Sequence, residues 1–273
     1  MKILRNIGNW GLENLMHSRD LNIKGFMVVR GLLKKQQLAG INKSISEVLL
    51  KPSAYRIKNV KEDGSLFFMD YNNWRKNNYI EKVCKDKNII KVVKTVTGSK
   101  NCWLMHEDII VKRGPSGDAT PPHHDRPYFI FKGELNVSVW ISISKVTEET
   151  SMRCYEGSHK IDKLFRPKFF RNHANIHGTD HIYSDISEFD FEKYPCSGFE
   201  LEPGDAIIFH HKTVHDSLPH IDISERRSLV IRYLLDSSTL TKVYCNNVPP
   251  YERLGVNIVE DGPIPENFFP KVG

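Results

Sequence analysis

A histidine and an aspartate two residues apart are the residue types in this chain best suited to hold a metal. On a strand both side chains leave the same face and can share one ion. Three such pairs occur: His106-Glu107-Asp108, His123-His124-Asp125 and His220-Ile221-Asp222. With 12 histidines and 16 aspartates in 273 residues, about one pair arises by chance, so spacing alone does not choose among them. A distant third histidine would complete a two-histidine, one-carboxylate face, which takes three positions of an octahedral Fe(II) and leaves three open. His220 is the last histidine and follows Pro219 in a turn-like stretch. His106 and Asp108 lie within a strand and could share the same distal histidine as His123. The setting favours His123: Pro121 and Pro122 precede it and Arg126-Pro127-Tyr128-Phe129 follow, which places the pair at a strand entrance.

The other histidines divide by context. His173, His177 and His181 are spaced four apart and would form one edge of a helix, but Gly178 and polar neighbours favour an irregular loop. His210 and His211 read as structural residues of a strand, and His159 as a hydrogen-bonding residue of a Gly-Ser-His turn. The five cysteines, Cys84, Cys102, Cys154, Cys196 and Cys245, are odd in number and form no C-x-x-C pair, as expected of reduced thiols in the cytoplasm.

The elements that must position these residues are mostly strands. Gly25 to Gly31 reads as a short buried strand, followed by a helix with Leu38, Ile41, Ile45 and Val48 on one face. Ile89, Ile90, Val93 and Val96 mark a second helix that stops at Gly98, so helices are expected over about 34–98. Trp103 to Lys112 is β-rich, and Gly114-Pro115-Ser116-Gly117 signals a turn. Leu135 to Ser144 alternates strictly. Leu135, Val137, Val139, Ile141 and Ile143 share one face, while Asn136, Ser138, Trp140, Ser142 and Ser144 share the other, which meets either solvent or a wet cavity. Residues 160–194 form a long aperiodic stretch of the kind that covers sites. Gly198 to Phe209 and Ser228 to Leu235 read as further strands, and the proline-rich tail from Val248 shows little periodicity.

Length and composition bound the reading. With 40% hydrophobic and 26% charged residues the chain is globular. No apolar run approaches the ~20 residues of a membrane span, and Met1 to Arg5 leads into polar sequence, so a soluble cytoplasmic protein with no membrane partner is expected. The net charge of +6 comes without a Lys/Arg block or an RNA-binding motif. Lys163 to Arg171 is the one stretch where basic and aromatic residues interleave, so a nucleic-acid partner is not expected. Residues 160–183 carry five Lys/Arg against two Asp, which places the basic surplus over the proposed lid.

Taken together, Pro122-His123-His124-Asp125-Arg126-Pro127-Tyr128 resembles the metal-binding signature of the phytanoyl-CoA dioxygenase family, Fe(II)- and 2-oxoglutarate-dependent oxygenases that include ectoine hydroxylase. Four further segments resemble the family in order and spacing. They are Trp140 to Ile143, Glu156-Gly157-Ser158-His159-Lys160, Pro203-Gly204-Asp205 with Phe209-His210 and His215-Asp216-Ser217, and Arg226-Arg227-Ser228-Leu229 through Tyr233. The resemblance runs from about Gly25 to Leu235.

What the resemblance implies is a mainly β, double-stranded β-helix (jelly-roll, cupin-like) with flanking helices. The single domain would span 1–273, with a core of about 103–235 and a lid of about 160–194. His123, Asp125 and His215 would bind Fe(II). Arg226 would fork two N–H donors onto the distal carboxylate of 2-oxoglutarate, with Arg227 and Arg232 as rival anchors. Lys112 and Ser217 would help hold the cosubstrate, Trp140 would stand beside it, and Asp108 and Ser228 would lie near it. By the same resemblance the polar face of the alternating strand lines the cavity. Where relatives commonly have Asn five residues after the distal histidine, this chain has His220.

The activity implied is O2-dependent hydroxylation of an unactivated C–H bond, with release of succinate and CO2. Desaturation, cyclisation and epimerisation use the same ligand set, whereas related halogenases lack the carboxylate that Asp125 supplies. A non-catalytic jelly-roll that binds a small ligand is the reading from another class. Substrate contacts would come from His106, Arg126, Tyr128, Phe129 and the lid, whose charge admits an anionic small molecule.

Overall fold

Apolar side chains at helical spacing account for the first long helix. In the computed structural model, which describes residues 19–114, 119–168, 182–220, 224–242 and 249–273, it spans Lys35–Leu50 and buries Ile41, Ser44, Ile45 and Val48. A second helix, Lys87–Thr97, starts where the Asp86 carboxylate accepts from the backbone N–H groups of Asn88 and Ile89. It ends at Gly98, whose positive φ of 71° is the left-handed cap that glycine adopts without a Cβ penalty. Between them lies a short helix, Asn78–Cys84, capped by the Asn77 side chain.

Thirteen strands are present among the described residues: β1 Phe26–Val29, β2 Ile57–Val60, β3 Leu66–Tyr71, β4 Cys102–Arg113, β5 Thr120–His123, β6 Phe131–Lys132, β7 Val137–Ser142, β8 Arg153–Tyr155, β9 Cys196–Ser197, β10 Ala206–His210, β11 His215–Ser217, β12 Glu225–Leu235 and β13 Thr239–Leu240. A seven-stranded sheet in the order β1-β10-β7-β12-β4-β3-β2 faces a four-stranded sheet in the order β5-β11-β8-β9. These two sheets make the double-stranded β-helix. A cavity between them is lined from both.

The helices cover the outer face of the large sheet. Ile41, Ile45, Ile89 and Val93 form one core with Phe68, Val111, Val139, Ile141, Leu229 and Ile231. Strand alternation turns the intervening residues inward. Thus Val137, Val139 and Ile141 of β7 pack outward, and the cavity side receives Ser138 and Trp140. The expected polar face of this strand is therefore buried rather than wet by bulk solvent.

Two expectations need correction. The stretch 34–98 is not purely helical, because it also supplies β2 and β3. Leu66 to Tyr71 is buried along its whole length, so it shows no alternation from which a strand could be read. The segment 198–209 is not one strand either: Pro203-Gly204 turns the chain and β10 begins only at Ala206. Gly204 has φ +96°, and a Cβ there would stand 2.6 Å from the carbonyl oxygen of Leu33. The expected turn at 114–117 lies outside the described residues after Gly114, as do His173, His177, His181 and Asp222. Among the described residues no helix is long and apolar enough to cross a membrane.

The aperiodic C-terminal tail is an integral wall. Cys102 N donates to Gly273 O at 2.8 Å and Leu104 N to Pro270 O at 3.0 Å, so the tail takes up the edge of β4 that β3 leaves unpaired. Phe269 is fully buried edge-on to Phe131, with ring centroids 4.8 Å apart. Truncation by Phe269→Ala should cost about 3–5 kcal/mol, read as a lowered urea midpoint. An unchanged midpoint would show that the tail is not part of the cooperative fold.

Candidate metal centre

β5 and β11 pair so that His123 and His215 stand directly opposite each other, with ring centroids 4.2 Å apart. In each ring Nδ1 donates to a backbone carbonyl two residues earlier: His123 to Pro121 O at 2.8 Å, and His215 to Thr213 O at 2.9 Å. A carbonyl can only accept, so both protons sit on Nδ1 and both Nε2 lone pairs are offered to the cavity. Asp125 follows two residues after His123 and places Oδ1 3.9 Å from His123 Nε2 and 3.8 Å from His215 Nε2. The three candidate ligand atoms lie within 4.8 Å of one another.

The electrostatics suit a divalent cation. Burial and the neighbouring His215 push His123 down to about 3, and burial lowers His215 as well. Burial would raise Asp125, but Arg232, His215 and His123 outweigh it and hold the carboxyl well below its usual range. Two neutral imidazoles and one carboxylate are the protonation states that metal ligation requires.

The second oxygen of Asp125 is engaged elsewhere. Oδ2 accepts from Ser138 Oγ at 3.1 Å and from Arg232 Nη1. The same guanidinium reaches Asp108 Oδ2 through Nε at 2.9 Å and Nη2 at 2.8 Å. Burial would raise Asp108, yet Arg232 and His106 lower it. His106 in turn stands with Nε2 3.2 Å from Asp108 Oδ1 and Nδ1 2.7 Å from the Tyr251 hydroxyl. The first rival pair, His106 and Asp108, is thus held in a protein network. Among the described residues, His123, Asp125 and His215 are the one group of three that could hold a metal. In the second rival pair, His220 Nε2 bonds Ser224 O at 2.9 Å.

The three candidate anchoring arginines differ sharply in surroundings. Arg227 points outward to Glu225 and to Asn42 and Ser46 of the first helix. Arg232 serves two carboxylates. Arg226 lines the cavity and donates Nη1 to Thr150 O, while its buried Nε has no hydrogen-bond partner. No acidic side chain among the described residues pairs with it, and burial alone pushes it down to about 10. A buried guanidinium without a counter-ion fits an anionic ligand.

Most of the remaining expected residues converge on the same space. Ser217, Trp140, Asp108, His106, Tyr128 and Phe129 line it. Lys112 is fully buried and donates to Ser217 Oγ at 2.8 Å and Thr120 Oγ1 at 2.9 Å, so it sits behind that wall. Ser228 shares the inward face of β12 with Arg226, its hydroxyl 3.5 Å from Ile110 O. Arg126 is not among the lining residues, and its Nη1 lies 3.4 Å from Phe129 O. The start of the expected lid is fastened to the metal segment. Phe165 N donates to His124 Nε2 at 2.8 Å, Lys168 N donates to Tyr128 Oη at 2.8 Å, and the same hydroxyl donates to Lys168 O at 2.9 Å.

His159 bonds a backbone carbonyl, as expected of a turn residue. The same motif braces the site, because Ser158 Oγ takes the backbone N–H of Val214, next to His215, at 2.9 Å. Residues that sequence reasoning missed are Ser138, Tyr251 and the carboxylate-bridging role of Arg232. Arg232 and Ser138 carry the inward alternation of β12 and β7, so their shared face was a visible signal; Tyr251 had none.

Residues 21–228 match the family described as phytanoyl-CoA dioxygenase (PhyH). A "probable phytanoyl-CoA dioxygenase" of Caenorhabditis elegans is 27% identical over 160 residues, 56% of this chain and 50% of that protein. A "probable alpha-ketoglutarate-dependent hypophosphite dioxygenase" of Stutzerimonas stutzeri is 24% identical over 182 residues, 65% of this chain and 60% of that protein. The matched region therefore spans between half and three-fifths of these relatives. Among solved structures, the carbocyclase SnoK from nogalamycin biosynthesis superposes with a TM-score of 0.78 at 18% identity, covering 100% of both chains. EctD from S. alaskensis with bound Fe gives 0.69 at 14%, covering 95% of this chain and 89% of that one. At such identities these likenesses establish the fold.

Two outcomes are expected. His215→Ala and Asp125→Ala should each abolish Co(II) uptake in an anaerobic titration, whereas His106→Ala should retain it; the reverse pattern would move the centre to the rival pair. Separately, His210 donates Nε2–H to Glu134 O and accepts Lys212 N at Nδ1. Burial pushes its pKa down to about 4 from 6.5. The native state therefore binds fewer protons than the unfolded state in that window. Stability present above pH 6.5 is lost as pH falls toward 4, by on the order of 3 kcal/mol. His210→Gln should remove that one share of the fall in the urea midpoint across this range, while the other histidines with lowered pKa, His123, His124, His159, His211 and His215, keep theirs.

Proposed function

Because the chain belongs to the phytanoyl-CoA dioxygenase family, we propose that it is a non-haem Fe(II)- and 2-oxoglutarate-dependent dioxygenase that hydroxylates an unactivated C–H bond of a small metabolite, with release of succinate and CO2. The observation that carries this reading is one cavity holding both a three-ligand metal face and the buried, uncompensated guanidinium of Arg226. A binding module has no need of both.

Nε2 of His123, Nε2 of His215 and Oδ1 of Asp125 would hold the iron. Arg226 would take the distal carboxylate of 2-oxoglutarate through its unpartnered Nε and a terminal nitrogen. Ser217 and Lys112 would flank it, Trp140 would give it a flat wall, and Ser228 and Asp108 would bound the same space. When bound, the metal and cosubstrate supply the oxidising power that O2-dependent C–H chemistry requires.

The protein's own task is to bind, orient and exclude water. Phe129 and Phe209 close the metal side with apolar surface, and Ile57, Phe67 and Met69 line the remainder. His106, Tyr128 and Phe129, which line the cavity, are assigned to substrate, whereas Arg126 lies outside the lining. Lys168, which lines the cavity on the strapped segment, favours a substrate with negative charge. The whole chain is read as one catalytic unit, with helices and tail bracing the jelly-roll.

Anaerobic addition of Fe(II) and 2-oxoglutarate should produce the weak visible charge-transfer band of the chelate. Arg226→Ala should weaken 2-oxoglutarate binding about 30-fold or more, the equivalent of losing ~2 kcal/mol from a buried charge pair. A protein that binds iron but shows no band would overturn the proposal. Screening metabolites for stimulated succinate release, followed by product mass, separates hydroxylation (plus one oxygen) from desaturation, cyclisation or epimerisation.

A further inference from the structure

The two histidines of the metal face are each oriented by the backbone carbonyl two residues earlier in the chain, but Asp125 is not. It lies just past β5 at the entry of a 3-10 turn over Arg126–Tyr128, and no side-chain cap bond holds it to that turn. Its orientation comes from across the sheet: Ser138 of β7 and Arg232 of β12 both bind Oδ2, which leaves Oδ1 facing the two imidazoles.

We propose that Arg232 is the positioning residue of the metal centre: by holding Oδ2 it confines Asp125 to ligation through one oxygen, and Asp108 is the counter-ion that keeps the guanidinium in place. This rests on the metal assignment above and deepens it. A carboxylate free to bind through both oxygens would fill a fourth position of an octahedral ion and leave two open instead of three. Arg232 thus decides how many positions remain for cosubstrate and oxygen.

The geometry suits a guanidinium specifically. One edge of the fork, Nη1, serves Asp125 and Ser138 Oγ, the latter at 2.6 Å. The other edge, Nε with Nη2, serves Asp108 at 2.9 and 2.8 Å. The Phe129 and Phe209 ring centroids lie 5.4 and 5.9 Å from the guanidinium carbon, and the residue is only 6% exposed, so hydrogen bonds and aromatic packing together restrain its plane. A lysine offers a point charge and cannot span both carboxylates in one fixed plane. Asp108 offsets a buried cation that would otherwise face the incoming metal unneutralised. Its link to His106 and Tyr251 ties this brace to the C-terminal tail.

The test uses Co(II), whose visible bands report coordination number, in the 273-residue chain. Arg232→Gln should weaken Co(II) binding about 10–100-fold, the usual effect of removing a group that orients a metal ligand, and should change the band pattern. Arg232→Lys should restore only part of both. A purely structural role is separated by Arg232→Met with Asp108→Leu. Exchanging a buried ion pair for apolar residues is often neutral for stability, so this double variant should melt near the parent yet keep weak, spectrally altered Co(II) binding. Parental affinity and spectrum in the double variant, or in Arg232→Gln, would overturn the proposal while leaving the metal centre intact. Failure of the parent protein itself to take up Co(II) would overturn the metal centre and this proposal with it.

Discussion

The site depends above all on the pairing of β5 with β11. That pairing joins residues 92 positions apart and sets two imidazoles side by side, tilted 52° to each other, with their Nε2 atoms turned inward. β5 is an edge strand of the smaller sheet, so one of the consecutive Pro121 and Pro122 turns its missing N–H to the open edge; the other faces β11, where the register shift between His215 and Ser217 leaves the ladder irregular. β11 is only three residues long and is held by β5 on one side and β8 on the other, with Ser158 fastening the preceding backbone. A slip of one residue would turn His215 away from the cavity and replace it with Asp216. Asp216 instead faces Arg153 and Tyr155, which bind it at 2.7–2.9 Å and fix the register from the other face.

Charge burial organises the rest. Arg226 and Arg232 lie six residues apart on the inward face of β12, and both are buried. Arg232 is neutralised within the protein by two carboxylates, so it behaves as part of the frame. Arg226 has no such partner among the described residues, and an unpaired buried cation is costly to retain for stability alone. The contrast separates a guanidinium with two carboxylate partners from one with none among the described residues, and it follows from partners rather than from residue type.

Much of the architecture was legible because strand and helix periodicities differ. The alternation of 135–144 sorted its residues onto two faces, of which the resemblance made the polar one the cavity side, and the helical spacing at Ile89, Ile90, Val93 and Val96 with Gly98 after it located a helix end. Leu66 to Tyr71 was not legible as a strand, since burial on both faces removes the pattern that would reveal it. The tail was misleading for another reason: its contribution is backbone pairing along β4 and a few aromatic anchors, which leave no periodic trace.

The sequence by itself determined the ligand types, the His-x-Asp spacing and the order of motifs, because these are local properties and chain order is covalent. Spacing alone could not choose between His123-Asp125 and His106-Asp108, nor among three arginines, because each has the same chemistry and a comparable strand position; flanking sequence and the family resemblance favoured His123-Asp125 and Arg226. Tertiary structure separates the candidates by their partners. Packing gave His106 and Asp108 protein partners, turned Arg227 onto the first helix, and joined Arg232 to two acids. What remained was one metal face and one guanidinium without a counter-ion, sharing a cavity. Whether a buried polar group is satisfied depends on neighbours distant in sequence, and only the folded chain brings those neighbours together.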